Sequence, residues 1–170
     1  MGIQLFEIEQ VSDEQIKAFK LEFNKNKEII QGSNGLTTTR SISKWRKEIV
    51  KLRKKSDKRR MEVHQYFIID HSGELVGMID FKSKLCPYSE REGGHIGYSI
   101  RKSQRGNGYA EQALGKLLEL IKSNYEIKKV LLTCESHNHH SRNIILSHDG
   151  RFNKTIIINN REIEHYWITL

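Results

Sequence analysis

The chain has 170 residues, of which 36% are hydrophobic and 29% charged, and its formal net charge at pH 7 is +8. This size and composition predict one globular domain over residues 1–170, because two independent cores would need a longer chain. Two cysteines, Cys86 and Cys134, are too few for a disulfide framework, and no apolar run reaches the roughly 18 residues of a membrane span. We therefore expect a cytoplasmic protein with no membrane partner.

The first predicted elements are a short strand and two helices joined by a loop. The strand covers residues 3–8, and Ser12 or Asp13 can cap the helix that follows. Residues 31–41 (QGSNGLTTTRS) have the composition of a loop, which would be a mobile lid or a substrate-facing connection. A second amphipathic helix is predicted over residues 41–60.

The second helix carries the positive excess of the whole chain. Residues 44–60 contain ten Lys or Arg against Glu48 and Asp57, so their net charge of +8 equals that of the full sequence. Such a helix is either a solvated surface element or a patch that attracts an anion, such as a phosphate-bearing cofactor, an acidic substrate or nucleic acid. A nucleic-acid module would need aromatic residues on the basic face, whereas Trp45 falls on the apolar side. Nucleic acid is therefore disfavoured as a partner.

From residue 63 onward the pattern is mainly that of strands. Strands are predicted over 63–70, 74–85, 93–100 and 128–136 and in a final hairpin that turns at Asn159 and Asn160; helices are predicted up to about 123 and over 141–147. The resulting order, β-α-α-β-β-β-α-β-α-β-β, predicts an α/β fold of the α+β type. We expect a mixed, mostly antiparallel twisted sheet of about seven strands with four helices. The strand–helix–strand unit over 96–135 should pair in parallel through a right-handed crossover.

Two glycines stand directly before the third predicted helix. Helix N-termini present N–H groups without intrahelical partners, and glycine lets a loop wrap closely around an anion. Gly106 and Gly108, with the positive charge of Arg105, therefore predict a diphosphate site, the alternative being a plain strand-to-helix turn. The P-loop fingerprint fails at Tyr109, and the dinucleotide fingerprint fails at Glu111.

The segment Arg105-Gly106-Asn107-Gly108-Tyr109-Ala110 resembles the coenzyme A pyrophosphate loop of the GNAT acetyltransferase superfamily. The longer stretches GGHIGYSIRKSQRGNGYAEQAL and KKVLLTCESHNHHSRNII are similar to a bacterial branch of that superfamily, and the likeness extends roughly over 29–168. The resemblance implies a GNAT-like fold with a central strand pair splayed for acetyl-CoA. It also implies an N-acetyltransferase in which a primary amine attacks the thioester directly within a ternary complex.

The resemblance further implies where the co-substrate binds. The pyrophosphate would lie on the loop from Arg105 to Ala110, and the pantetheine would hydrogen-bond the backbone around Ile100. Asn138 and Ser141 match positions that line the pantetheine and thiol side. The tyrosine that often protonates the leaving thiolate is replaced by Ile145, which leaves Tyr109 and Tyr166 as conceivable donors. A non-catalytic acyl-CoA-binding protein is therefore an alternative function.

The general base and the acceptor are less well defined by the sequence. His95 is a candidate base because its pKa can lie near 7, with Glu90 and Glu92 as competing carboxylates and a structural histidine as the alternative. The stretch CESHNHH suggests zinc, but its residues fall where the resemblance places the co-substrate, so we predict no metal. The acceptor would be a small amine, an antibiotic, an amino acid or a protein N-terminus or lysine. A homodimer is the oligomeric state that we predict.

Overall fold

The computed structural model describes residues 2–54 and 61–170. The second helix, predicted over residues 41–60, is shorter in the structure: it covers Ile42–Arg53, and Lys54 caps its C-terminus with extended backbone angles. Residues 55–60, the last part of the basic segment, lie outside the described residues, so the prediction for them is untested. Within the described chain the elements are β1 Gln4–Phe6, α1 Asp13–Lys25, α2 Ile42–Arg53, β2 Val63–Ile69, β3 Leu75–Lys82, β4 Ile96–Ile100, α3 Tyr109–Asn124, β5 Lys129–Glu135, α4 His139–Ser147, β6 Arg151–Ile158 and β7 Arg161–Thr169. This order of seven strands and four α-helices confirms the prediction.

The helices begin where the sequence places capping residues. The Ser12 hydroxyl accepts the Gln15 N–H at 3.2 Å, and the Gln15 side chain accepts the Ser12 N–H at 3.1 Å, which forms a capping box at the start of α1. The Ser41 hydroxyl likewise accepts the Lys44 N–H at the start of α2. Each helix then buries one apolar side, as the spacing of its residues predicts.

The strands form two antiparallel sheets. The first has the order β1-β2-β3-β4 and the second has the order β5-β7-β6. The single mixed sheet expected from the sequence is therefore divided, and the described strands form no parallel ladder between β4 and β5. The backbones meet where the His95 N–H, one residue before β4, donates to the Leu131 carbonyl at 2.7 Å. β3 pairs with the outer edge of β4, and β7 pairs with the outer edge of β5. Because β4 and β5 diverge from each other, a wedge opens between the two sheets.

Two apolar clusters cover the faces of the first sheet. Ile68 on β2 packs in the cluster with α3, and its neighbour Phe67 packs in the cluster with α1 and α2. Successive side chains on a strand point to opposite faces, so β2 and β3 are buried on both sides and have nearly continuous apolar sequences. The apolar face of α3 therefore fixes the helix, and with it the glycine loop that precedes it, against the open end of the wedge.

The final hairpin turns as predicted. Asn159 and Asn160 have φ angles of +49° and +62°, the left-handed conformation that a two-residue type I′ turn requires. Asparagine tolerates this conformation better than most residues do. The turn sets the register of β6 on β7, pairing Ile158 with Arg161.

Candidate functional site

A cleft of about 730 Å³ opens between β4 and β5. Its walls come from these two strands, the first turns of α3 and α4, and the loop before α2. Eight of the predicted co-substrate positions line it, namely Ile100, Arg105, Gly106, Gly108, Tyr109, Ala110, Asn138 and Ser141. Asn107 lies beside them, with its side-chain amide donating to the Gln104 carbonyl at 3.1 Å. The fold thus brings residues that precede α3 in the sequence and residues that follow it around one cavity.

The cleft-facing edge of β4 carries free backbone groups. The Lys82 N–H donates to the His95 carbonyl at 2.8 Å, and the Arg101 N–H donates to the Val76 carbonyl on β3 at 2.9 Å. Backbone groups alternate along an antiparallel strand, so the N–H and C=O groups of Tyr98 and Ile100 point away from β3 and into the wedge. The Ile100 carbonyl accepts the Arg105 Nε–H at 3.0 Å, whereas its N–H stays directed toward the cleft.

The facing edge of β5 is arranged in the same way. The Leu131 N–H and C=O both bond to His95, so this residue's backbone faces β4. By alternation the N–H and C=O groups of Thr133 also face β4, while those of the residues on either side of it bond to β7. Past His95 the wedge therefore presents backbone donors and acceptors on both walls, and an extended ligand could bond to them as an added strand would.

The N-terminus of α3 opens into this cleft. Gly108 is its N-cap with φ +72°, and Gly106 has φ +86°. Both φ angles lie in the left-handed region that favours glycine, although an added Cβ would meet open space at Gly106 and only ordinary contact at Gly108. Within residues 2–54 and 61–170, no N–H from Gly106 through Glu111 donates to a protein acceptor. Six adjacent N–H groups and the positive end of the helix are thus available to an anion.

Arg105 adds a cation that is already paired. Its guanidinium contacts the Glu28 carboxylate, with Nη1–Oε1 at 3.3 Å and a shorter contact through Nη2. Its Nε–H is held by the Ile100 carbonyl. Arg105 is therefore oriented by two partners, and part of its charge is neutralised by Glu28.

Two hydroxyl groups face the cleft from opposite walls. The Tyr98 hydroxyl lies 2.8 Å from Ser141 Oγ, and burial raises the pKa of Tyr98 to about 12. Asn138 caps α4 by accepting the Ser141 N–H at 3.1 Å, which fixes the serine at the helix start. Tyr98 was missed as a site residue, although its alternation with Ile96 and Ile100 on β4 placed it toward the same face.

The other tyrosines considered from the sequence are less suited to contact a ligand. Ile145 is 1% exposed and packs in the core, so the α4 position at which the resemblance implies an acidic tyrosine is apolar here. The Tyr166 hydroxyl donates to Glu164 Oε2 at 2.7 Å, and burial raises its pKa to about 12. Tyr109 lines the cleft at the start of α3 but is 6% exposed.

Two carboxylates, Glu92 and Glu135, also line the cleft. Arg161 at the start of β7 contacts both Glu92 and Glu135, with Nη1 of Arg161 3.1 Å from Glu135 Oε1. Glu92 belongs to a π-helical turn, Ser89–Gly93, which the Thr133 hydroxyl fastens to β5 by donating to the Glu92 carbonyl at 2.6 Å. One arginine between two carboxylates leaves a local excess of negative charge.

His95 lies at the closed end of the wedge and outside the lining of the cleft. Its Nδ1 accepts the Leu131 N–H at 2.8 Å, so the neutral ring carries its proton on Nε2 and has no lone pair free to accept another. Burial, together with the nearby Lys82 charge, lowers the pKa of His95 to about 4. Its role as a general base stays a prediction, and these contacts favour a structural role.

The loop before α2 is held against β4. An added Cβ on Gly32 would lie 2.2 Å from the Gly97 carbonyl oxygen, so the two backbones touch at a distance that only glycine permits. Asn34 donates to the buried Asp80 carboxylate at 3.0 Å, and Asp80 also accepts the Gly97 N–H at 2.9 Å. Of the two alternatives for residues 31–41, these contacts favour a fixed connection, in which Gln31 forms part of the cleft wall.

The remaining candidates concern metals, cysteine and membranes. Within the described residues, no group of three or more His, Cys, Asp or Glu side chains could hold a metal ion. Burial raises the pKa of the Cys134 thiol to about 11, which disfavours a thiolate nucleophile. None of the helices described has both the length and the apolar character needed to cross a bilayer.

Comparisons with known proteins place these features in a family. The model of the family described as "Acetyltransferase (GNAT) domain" matches residues 6–149. A solved structure of RimL, the ribosomal L7/L12 alpha-N-protein acetyltransferase in complex with coenzyme A, has a TM-score of 0.71 at 18% identity, over 100% of this chain and 95% of that one. The acetyltransferase from Salmonella typhimurium that modifies the N-terminal serine of L7/L12 gives 0.69 at 16%, over 100% and 96%.

Another similar structure is the spermidine/spermine N-acetyltransferase SpeG from Vibrio cholerae, with a TM-score of 0.67 at 12% identity over 98% of this chain and 93% of that one. A spermidine N-acetyltransferase from the same organism is described as dodecameric. At these identities the structural likenesses show the fold alone. A comparison with curated protein sequences finds no match.

Proposed function

Because the chain belongs to the acetyltransferase (GNAT) domain family, we propose that it moves the acetyl group of acetyl-CoA to a primary amine in the cleft between β4 and β5. Acetyltransferases of this family use acetyl-CoA, which supplies the acetyl group as an activated thioester. The observation that carries the proposal is the α3 N-terminus, whose unpartnered N–H groups open into a wedge of the kind that an extended ligand can enter.

The phosphate end of the co-substrate would bind at the glycine loop. The N–H groups from Gly106 to Ala110 would donate to the diphosphate, and Arg105 would contribute charge from a fixed position. The pantetheine arm would take its hydrogen bonds from the exposed edges of the wedge, at Tyr98 and Thr133 and at the Ile100 N–H. The Ile100 carbonyl is less available because Arg105 already bonds to it.

The thiol end would lie near Tyr98 and Ser141. Both hydroxyls are neutral at physiological pH, and their 2.8 Å separation lets one relay a proton to the other. We assign this pair, with Ser141 fixed by Asn138, as the donor to the leaving thiolate, because Ile145 provides no acid. Direct transfer needs no enzyme nucleophile, which agrees with the raised pKa of the Cys134 thiol.

The amine would bind beside Glu92 and Glu135, which line the cleft. A carboxylate attracts an ammonium ion, and Glu92 could accept its proton directly or through water. The similar structures act on a ribosomal protein N-terminus and on polyamines. Both acceptors carry primary amino groups, which is the acceptor class we propose for this chain. A homodimer stays a prediction.

Binding tests the site directly. In a thermal shift assay with coenzyme A, Gly108→Asp should lose the ligand-induced shift, whereas Gly108→Asn should keep more of it. Both residues tolerate the left-handed conformation and cap helices well, and an added Cβ there is 3.8 Å from Gln112 Nε2, so the fold should be retained. The pair differs only in a negative charge placed at the anion site. Equal shifts in the two variants would refute the assignment of the loop.

Release of free thiol from acetyl-CoA across a panel of amines separates an enzyme from a binder. We expect release with at least one primary amine, at a rate that falls in Tyr98→Phe. If coenzyme A binds and no amine releases thiol, the non-catalytic acyl-CoA-binding protein becomes the better description.

A further inference from the structure

His95 occupies the point where the two sheets stop pairing. Its N–H donates to the Leu131 carbonyl on β5, whereas its C=O accepts the Lys82 N–H on β3. In a regular strand the N–H and C=O of one residue point to the same edge, so the backbone is irregular at this residue. The chain thus leaves β5 and joins β3 within a single residue, and the wedge begins there.

The imidazole completes this junction. Its Nδ1 accepts the Leu131 N–H at 2.8 Å, so one histidine satisfies both backbone groups of Leu131. A second strand would normally supply that acceptor from its own backbone and would then continue the ladder. The side chain supplies it instead, which ends the ladder without leaving a buried N–H unpaired.

The surrounding residues fix the ring in this position. His95 is 6% exposed, and its ring packs edge-on to Trp167 with centroids 6.1 Å apart. The preceding Gly94 has φ +62°, and a Cβ there would lie 2.4 Å from the Leu131 carbonyl oxygen. The strands can therefore approach closely at this one point because the residue before the histidine is glycine.

We propose that His95 is a positioning residue that sets where β4 and β5 separate, and hence where the co-substrate cleft begins. The inference rests on the proposed function, since it assumes that the wedge binds coenzyme A. Without the Nδ1 acceptor, the Leu131 N–H must find another partner. The edges that bond the pantetheine, at Tyr98 and Thr133, then shift relative to each other.

A matched pair of substitutions tests this role. Asparagine can place its Oδ1 near the position of Nδ1 and keep the acceptor, whereas leucine has a similar volume and no acceptor. We expect His95→Asn to bind coenzyme A within a few-fold of the wild type and His95→Leu to bind about tenfold more weakly or worse, as one lost hydrogen bond allows. Isothermal titration with coenzyme A measures both. Equal affinities in the two variants would overturn the proposal.

Hydrogen exchange at the Leu131 amide gives a readout that does not depend on the ligand. The amide should be protected in the wild type and in His95→Asn and should exchange faster in His95→Leu, while amides of the β2–β3 ladder stay protected. If His95→Leu does not fold, His95→Asn alone tests the proposal. Loss of both Leu131 amide protection and coenzyme A binding in His95→Asn would overturn it. A wild type that fails to bind coenzyme A would refute the proposed function. Equal protection of the Leu131 amide in the wild type and in both variants would refute only this inference.

Discussion

His95 should make the stability of the fold depend on pH between about 4 and 6.5. Burial, with the charge of Lys82 nearby, lowers the pKa of its imidazole from 6.5 to about 4. In this interval the unfolded chain binds a proton that the folded chain does not bind. The stability that the neutral His95 contributes to the fold is therefore complete above pH 6.5 and is lost progressively as the pH falls toward 4. The structural cause is that protonation of Nδ1 would remove the acceptor of the Leu131 N–H.

The size of the effect follows from the same shift. A change from 6.5 to about 4 corresponds to about 3 kcal/mol, at roughly 1.4 kcal/mol per pH unit. His165 also has a pKa lowered by burial, so the wild-type curve does not isolate one histidine. His95→Asn, which cannot titrate, is the reference. Its stability is to be compared with that of the wild type in urea denaturation from pH 7 to pH 4, followed by circular dichroism.

The free energy of unfolding of the wild type, minus that of His95→Asn, should shrink by about 3 kcal/mol over this range. If the difference is the same at pH 7 and pH 4, the histidine is not held neutral by the fold and the reasoning fails. A change in the opposite direction would mean that the folded state stabilises the imidazolium.

Two further predictions concern the loop before α2. Gly32→Ala should lower the free energy of unfolding by more than about 2 kcal/mol, because its Cβ would overlap the Gly97 carbonyl, whereas Gly35→Ala, with open space at φ +95°, should cost only backbone strain of about 1 kcal/mol. Chemical denaturation measures both, and similar losses would contradict the close contact. Glu28→Gln should strengthen coenzyme A binding by about threefold to fivefold, because the released charge of Arg105 becomes available to the diphosphate. Titration at low salt tests this, and weaker binding would show that Glu28 serves mainly to orient the arginine.

The loop and helix of the proposed anion site could be predicted because their signals are local. The apolar spacing of α3, the glycines before it and the asparagine turn of the last hairpin each lie within a few residues. The structure places Gly106, Gly108 and Arg105 on the cleft accordingly. The prediction of Asn138 and Ser141 depended on the family resemblance, since nothing in their local sequence indicates what they face.

Other features depended on contacts between distant segments. Tyr98 and Ser141 are 43 positions apart, and their pairing follows from how β4 and α4 meet across the wedge. The division into two sheets likewise has no local signal, because the strand patterns of β4 and β5 are the same whether they form a ladder or diverge.

The sequence alone determined the order of the elements, the position of the glycine loop and the family, since these depend on periodicity, turn residues and a short motif. Only the tertiary structure decided that the contacts of His95 favour a structural role. A histidine beside a cleft is a plausible base when its surroundings are unknown. The structure gives its Nδ1 to a backbone amide 36 residues away and lowers the pKa by burial, and both effects arise from packing that no local pattern encodes.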